Sequence, residues 1–257
     1  KFEYLMDWCA FLVQFPDLPA EVIVALVSEA EGSGKTTLTQ ALHKIMGGHA
    51  IICDNAETLT GQFTEHLIHC SFLQCEEAFF AGDHKAMDAL KSRTTSHILQ
   101  INGKFKTPFQ GPSHLHIMVA TNHGQVARLG KKARRWVIFD VDESRVGDTA
   151  YFSSIYEDLN DGGYGQFLDL LMKRDIKGKH PRHIIRTEEL AEQQLKSAPA
   201  FIQWLLDIVS MGGLPEWPLS SNNSPLIRSL PKELTNQELY GSYTDWRRYS
   251  GSTERSI

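Results

Sequence analysis

Four short stretches hold residue types that could act together on a phosphate. The first is Glu31-Gly32-Ser33-Gly34-Lys35-Thr36-Thr37, which follows an apolar run and opens an amphipathic one. Glycines at 32 and 34 let backbone N–H groups turn inward with no Cβ in the way. A helix starting there aims its positive end at the same point. Lys35 brings a point charge to the terminal phosphates, and Thr36 a hydroxyl for Mg²⁺. Residues Glu31 to Thr37 therefore read as a cradle for ATP phosphates. The pattern G-x-x-x-x-G-K-[ST] would place Gly at position 29, where this chain has Glu29. The inner G-x-G-K-T is intact.

The second stretch is Phe72-Leu73-Gln74-Cys75-Glu76-Glu77, an apolar run ending in two carboxylates. One carboxylate, Glu76, suits the Mg²⁺ shell; the next, Glu77, suits orienting or deprotonating an attacking water. Neighbouring side chains on a strand point opposite ways, so the pair can divide these roles only where the strand ends. The third stretch, Met118 to Asn122, ends a strand-like run in a polar Asn122 placed to sense the γ-phosphate. The fourth is Arg134-Arg135, before another apolar run. A guanidinium there fits a finger that neutralises transition-state charge on a neighbouring copy.

The elements that must position these residues are legible as short apolar runs. Residues 21–29, Ala50–Cys53, Ser71–Cys75, Leu115–Ala120 and Trp136–Val141 each read as a buried strand. Between the first two, Leu38, Ala41, Leu42, Ile45 and Met46 recur at helical spacing, closed by Gly47-Gly48. Helical patterns also cover residues 2–15, Phe63–His69 and Asp83–Lys91. Strands alternating with helices predict an α/β fold with a mostly parallel sheet covered on both faces. Residues 97–109 break the alternation: two strand-like pieces flank Asn102-Gly103, a dipeptide that favours a tight hairpin turn.

The chain has 257 residues, net charge −5, 42% hydrophobic and 22% charged residues, which excludes a globally basic nucleic-acid binder. No apolar run approaches the ~18 residues of a membrane span. Cys9, Cys53, Cys70 and Cys75 form no C-x-x-C pair. Buried reduced thiols are expected, and with them a cytoplasmic setting. The first residue is Lys1, and a piece of a longer protein is expected. Composition changes near 178–183, giving an expected ATPase domain over 1–180 and a small, mainly helical part over 181–257. That part holds helices at 187–197 and 200–211, a loop over 212–231, and a capping box at Thr235 and Glu238.

The order of these motifs resembles the superfamily 3 helicases of the AAA+ class, as found in phage and plasmid primase–helicase proteins. The resemblance covers about residues 1–178. The segment Asp83–Lys106, with Leu90-Lys91, Thr94-Thr95 and Lys104, is similar to the extra motif of that superfamily. The resemblance implies a P-loop NTPase of AAA+ type with a five-stranded sheet and a β-hairpin before the sensor strand. It implies ATP and Mg²⁺ as cofactors, with Gly32, Gly34, Lys35 and Thr36 on nucleotide and metal. Glu76 would support Mg²⁺, Glu77 would activate water, Asn122 would be the sensor, and Arg134 or Arg135 the finger in trans. Lys104 and Lys106 would track single-stranded DNA in the pore of a homohexamer, so that a net acidic subunit still binds DNA. The tail would be the start of a winged-helix-like unit. The implied activity is an ATP-dependent DNA helicase or translocase in phage or mobile-element replication. A non-translocating AAA+ switch or loader is the competing reading, and a small-molecule kinase a third.

Overall fold

The computed structural model describes residues 1–55, 57–76, 84–122, 133–216, 226–229 and 235–249. It divides into two compact units, Lys1–Gln193 and Gln194–Ile257.

The first unit is built on a five-stranded sheet. Its strands are β1 (Ile23–Val27), β2 (Ala50–Cys53), β3 (Phe72–Cys75), β6 (His116–Thr121) and β7 (Trp136–Asp140). They lie in the order β2-β3-β6-β1-β7, and every pair is parallel. The inner strands are near-continuous apolar runs because both of their faces are buried, while Ile52 on edge strand β2 is exposed. Alternation sorts the residues between two cores. Ile23, Ala25, Leu73, Ile117, Val119 and Ile138 face one; Val24, Leu26, Phe72, Met118, Val137 and Phe139 face the other. The second core is closed by α1 (Phe2–Gln14), α2 (Lys35–Met46) and α6 (Tyr164–Lys173), through Trp8, Leu12, Leu42 and Leu171.

The first core is closed by α4 (His84–Thr94) and by an antiparallel hairpin of β4 (Ile98–Ile101) and β5 (Phe109–Pro112). Leu90, Leu99 and Ile101 are buried there beside Leu67. Two sequence expectations are corrected here. Phe63–His69 forms a 3₁₀ turn over Glu65–His69 instead of an α-helix. Thr64, just before it, is tied to the hairpin: its N–H donates to the Asn102 carbonyl at 2.9 Å, and its hydroxyl accepts the Asn102 N–H at 3.1 Å. Asn102-Gly103 does not form the central pair of the hairpin turn. Neither residue has positive φ. The turn is instead closed by the Lys106 N–H on the Gly103 carbonyl at 3.3 Å, with Lys104 and Phe105 at its centre.

All four cysteines are buried free thiols, and burial pushes Cys9 and Cys70 up to about 12. Among the described residues no helix is long and apolar enough to cross a membrane.

The division between units falls within α7 (Glu188–Lys196). The second unit contains α8 (Ala200–Met211), a hairpin of β8 (Gly213–Glu216) and β9 (Leu226–Ser229), and α9 (Asn236–Tyr249). The sequence reading of 212–231 as loop is corrected by this hairpin. Its pairing lies between distant segments with little period-2 pattern, so periodicity does not report it. Trp204 and Trp246 fill the small core. The Trp246 indole donates to Asp207 at 2.7 Å. At the start of α9, the Glu238 carboxylate accepts from the Thr235 N–H at 2.9 Å, and the Glu238 N–H donates back to the Thr235 hydroxyl at 3.2 Å.

Candidate functional site

Parallel strands put every following loop at one edge of the sheet. Since β6 lies between β3 and β1, the segments after these three strands come side by side at the carboxyl edge. Those segments carry Glu76, Asn122 and the glycine loop. Glu76 extends the ladder, its N–H donating to the Cys53 carbonyl at 3.1 Å.

The loop folds as its glycines require. Gly32 and Gly34 have φ of +74° and +93°, a region open to Gly and costly to other residues. Gly34 caps α2 in the left-handed conformation, so the helix begins at Lys35. A Cβ on Gly34 would also meet Phe152 at 2.8 Å. Phe152 lies on α5 (Thr149–Asp158), whose start is capped by the Asp148 carboxylate accepting the Tyr151 N–H at 3.0 Å.

Lys35 is only 7% exposed. Its ammonium donates to the Ser28 hydroxyl, to the Asn122 side-chain carbonyl, to the Ser33 hydroxyl at 3.2 Å and to the Ala30 carbonyl at 3.3 Å. The Ser28 and Ser33 hydroxyls are themselves 2.9 Å apart. The residue expected to sense phosphate thus already touches the residue expected to bind it. On the acidic side, the Gln74 amide donates to the Glu76 carboxylate at 2.9 Å and fixes its orientation.

These groups open onto one cavity of about 370 Å³, lined by Glu31 through Thr37, Glu76, Ala120, Thr121, Asn122, Phe152 and Tyr156. That volume lies within the usual range for a small-molecule site. A second cavity of about 500 Å³ adjoins it across Gly34 and Phe152, walled by Leu38, Ala41, Val141 and Ile155. Arg145 lies at its rim with its guanidinium 4.7 Å from the Tyr151 ring centroid. The donor set suits a magnesium nucleotide: the exposed Thr36 hydroxyl and the half-buried Glu76 carboxylate are hard oxygens facing the same space as a buried ammonium.

The structure therefore brings Glu31, Gly32, Ser33, Gly34, Lys35, Thr36, Thr37, Glu76 and Asn122 to one place. Glu77 lies outside the described residues. Arg134 and Arg135 stand at the opposite edge of the sheet. They precede β7, whose first residue Trp136 pairs with Ile23 at the start of β1. The length of β1, five residues or about 16 Å, separates that edge from the glycine loop. Arg134 is exposed, and Arg135 is half-buried with an Nε that finds no acceptor among the described residues. Lys104 and Lys106 lie on the hairpin, away from the cavity. Lys106 is paired with the Glu65 carboxylate.

Sequence reasoning missed Ser28, Gln74, Glu143, Phe152 and Tyr156. Glu143, in the segment after β7, accepts the Ala30 N–H at 2.8 Å and ties down the front of the loop. The Thr37 hydroxyl and the Tyr156 hydroxyl are 3.2 Å apart. Gln74 stood two residues before an acidic pair, a visible signal. The others lie outside any motif.

Comparison with known proteins adds the following. A family model described as a family of unknown function (DUF5906) matches residues 26–135. No curated protein matches the chain. Solved structures of the NrS-1 C-terminal region share the fold. An apo structure aligns with TM-score 0.69 at 17% identity over 81% of this chain and 54% of its own. An A-form apo structure aligns with TM-score 0.68 at 17% identity over 80% of this chain and 52% of its own. The chain thus spans about half the length of these structures, and at this identity the likeness is one of fold.

Proposed function

We propose that this chain is an ATP-hydrolysing P-loop domain of AAA+ type, of the superfamily 3 helicase kind, that moves single-stranded DNA during replication of a phage or mobile element. The observation that carries this reading is the convergence of the glycine loop, buried Lys35, Glu76 and Asn122 on one cavity at the carboxyl edge of a parallel sheet. Backbone N–H groups at the start of α2 and the Lys35 ammonium bind the phosphates. Thr36 and Glu76 would hold Mg²⁺, which would supply charge compensation for the transferring phosphoryl group. Asn122, leaving its contact with Lys35, orients the attacking water, and Glu77 draws its proton. The nucleoside extends toward the adjoining apolar cavity beside Phe152.

The place of Arg134 and Arg135 supports a site shared between copies. At the far edge of the sheet neither can reach the phosphates of its own chain, but either can reach those of a neighbour in a ring. Such a ring, a homohexamer, would carry its β4–β5 hairpins around a central strand.

The test is a forked-DNA unwinding assay with substrates of both polarities, run beside ATP turnover. Wild type should hydrolyse ATP and unwind one polarity, and Lys35→Ala should do neither. ATP turnover with no unwinding of either fork points to the non-translocating switch or loader. No turnover in wild type overturns the ATPase reading altogether.

A further inference from the structure

The hairpin tip holds a residue that folding alone does not explain. Phe105 is 96% exposed. Single exposed apolar residues are ordinary. Phe105, however, also has φ of +61°, and it shares that distinction with only Glu21 among the described non-glycine residues. A bulky side chain in that region is a backbone outlier. It sits at the third position of the Gly103–Lys106 turn, where glycine is the relaxed choice. The chain thus keeps an aromatic ring in water at a position that glycine would fill with less strain.

The surroundings hold the ring outward. Thr64 bonds both the N–H and the carbonyl of Asn102. Gly103 packs so closely that an added Cβ would lie 2.8 Å from a Glu65 carboxylate oxygen. Lys106 is paired with Glu65. Two sides of the turn are therefore pinned, and what projects from it is Lys104 and Phe105. The Lys104 ammonium lies 5.4 Å from the Phe105 ring centroid. One cation and one aromatic face stand within the span of a single nucleotide, the pairing used by proteins that bind single strands without reading sequence.

We propose that Phe105 stacks on the bases of a single-stranded nucleic acid while the adjacent Lys104 meets its phosphates, so that the tip grips bases as well as backbone. This rests on the DNA-binding part of the proposed function and adds a base contact to it. Lys106, neutralised by Glu65, is a support of the turn and contributes less than Lys104.

Two labelled oligonucleotides of equal length and charge separate base from backbone contacts: a poly-dT strand and its abasic counterpart. Fluorescence anisotropy with ATP analogue present should give wild type roughly tenfold tighter binding to the poly-dT strand. Phe105→Ala should lose that preference, binding both strands at the abasic level. Phe105→Trp should retain it. Phe105→Gly should lose it too, yet melt no lower than wild type, because it relieves the positive-φ strain. Lys104→Ala should weaken both strands alike.

Equal wild-type affinity for the two strands overturns the stacking contact and leaves DNA binding in place. So does a base preference that survives in Phe105→Ala. A Phe105→Ala effect on self-association alone, with strand binding unchanged, makes the ring a contact between copies and overturns the proposal. No binding to either strand by wild type overturns both this contact and the DNA reading beneath it.

Discussion

Gly34 meets two separate demands, and they can be told apart by substitution. Its φ of +93° disfavours any Cβ, and Phe152 leaves no room for one. Gly32 meets only the first demand: its φ is +74°, and among the described residues, its chain neighbours aside, no heavy atom lies within 4 Å of where a Cβ would stand. Gly34→Ala should therefore cost about 1–3 kcal/mol in backbone strain alone, with the clash against Phe152 added. Gly32→Ala should cost less. Denaturant midpoints of the two variants check the order, and nucleotide affinity should fall further for Gly34→Ala. Equal midpoints would remove Phe152 from the account. The loop itself was legible because its residues are adjacent in sequence and each has a local reason to be there. Glu143, Phe152 and Tyr156 were not legible: each reaches the site from more than a hundred residues away, with no spacing to mark it. Glu29 departs from the loop pattern, and the residue after it, Ala30, is tied down by its N–H on the Glu143 carboxylate.

At the scale of elements, apolar runs gave all five sheet strands because burial leaves few polar positions in them, Gln74 and His116 being exceptions. The hairpin turn was misread because Asn-Gly reports only local preference, and Thr64 supplied a stronger non-local partner. A second non-local contact, between α1 and β6, carries a pH prediction. His116 on β6 is fully buried, edge-on to Trp8 with ring centroids 5.8 Å apart. Its Nδ1 lies 3.0 Å from the His114 carbonyl and 3.1 Å from the Ser71 carbonyl. Its Nε2 meets no partner among the described residues, so the neutral ring with the proton on Nδ1 is the form that fits. Burial above all lowers its pKa to about 4 from an ordinary value near 6.5. Between those values the unfolded chain binds a proton that the folded chain refuses. Stability from this group is therefore whole above pH ~6.5 and falls as pH drops toward 4, by about 3 kcal/mol in total. Urea midpoints across that window should fall for wild type and fall less for His116→Gln. A flat wild-type profile would contradict the assignment.

At the scale of the whole molecule, the two halves of the proposed hydrolytic machinery sit on opposite edges of one sheet. Glu76, Asn122 and the glycine loop occupy the carboxyl edge; Arg134 and Arg135 occupy the amino edge of β7. No sequence pattern reports this, because edge is a property of strand direction and order. The order β3-β6-β1-β7 sets it. A consequence is that loss of either half should be repaired by a neighbour carrying the other. Lys35→Ala keeps its finger and lacks a working loop. Arg134→Ala with Arg135→Ala keeps the loop and lacks a finger. Each variant alone should turn over ATP at under about a hundredth of the wild-type rate, the scale of loss when a trans arginine is missing. Mixed in equal amounts, they should regain a measurable fraction, because some interfaces pair an intact loop with an intact finger. The gain should be greatest near equal ratios and should vanish on dilution below the dissociation constant of the assembly. Restored activity places the arginines in trans. Mixtures no more active than their parts, at concentrations where the copies associate, would leave Arg134 and Arg135 as a solvated basic segment ahead of β7.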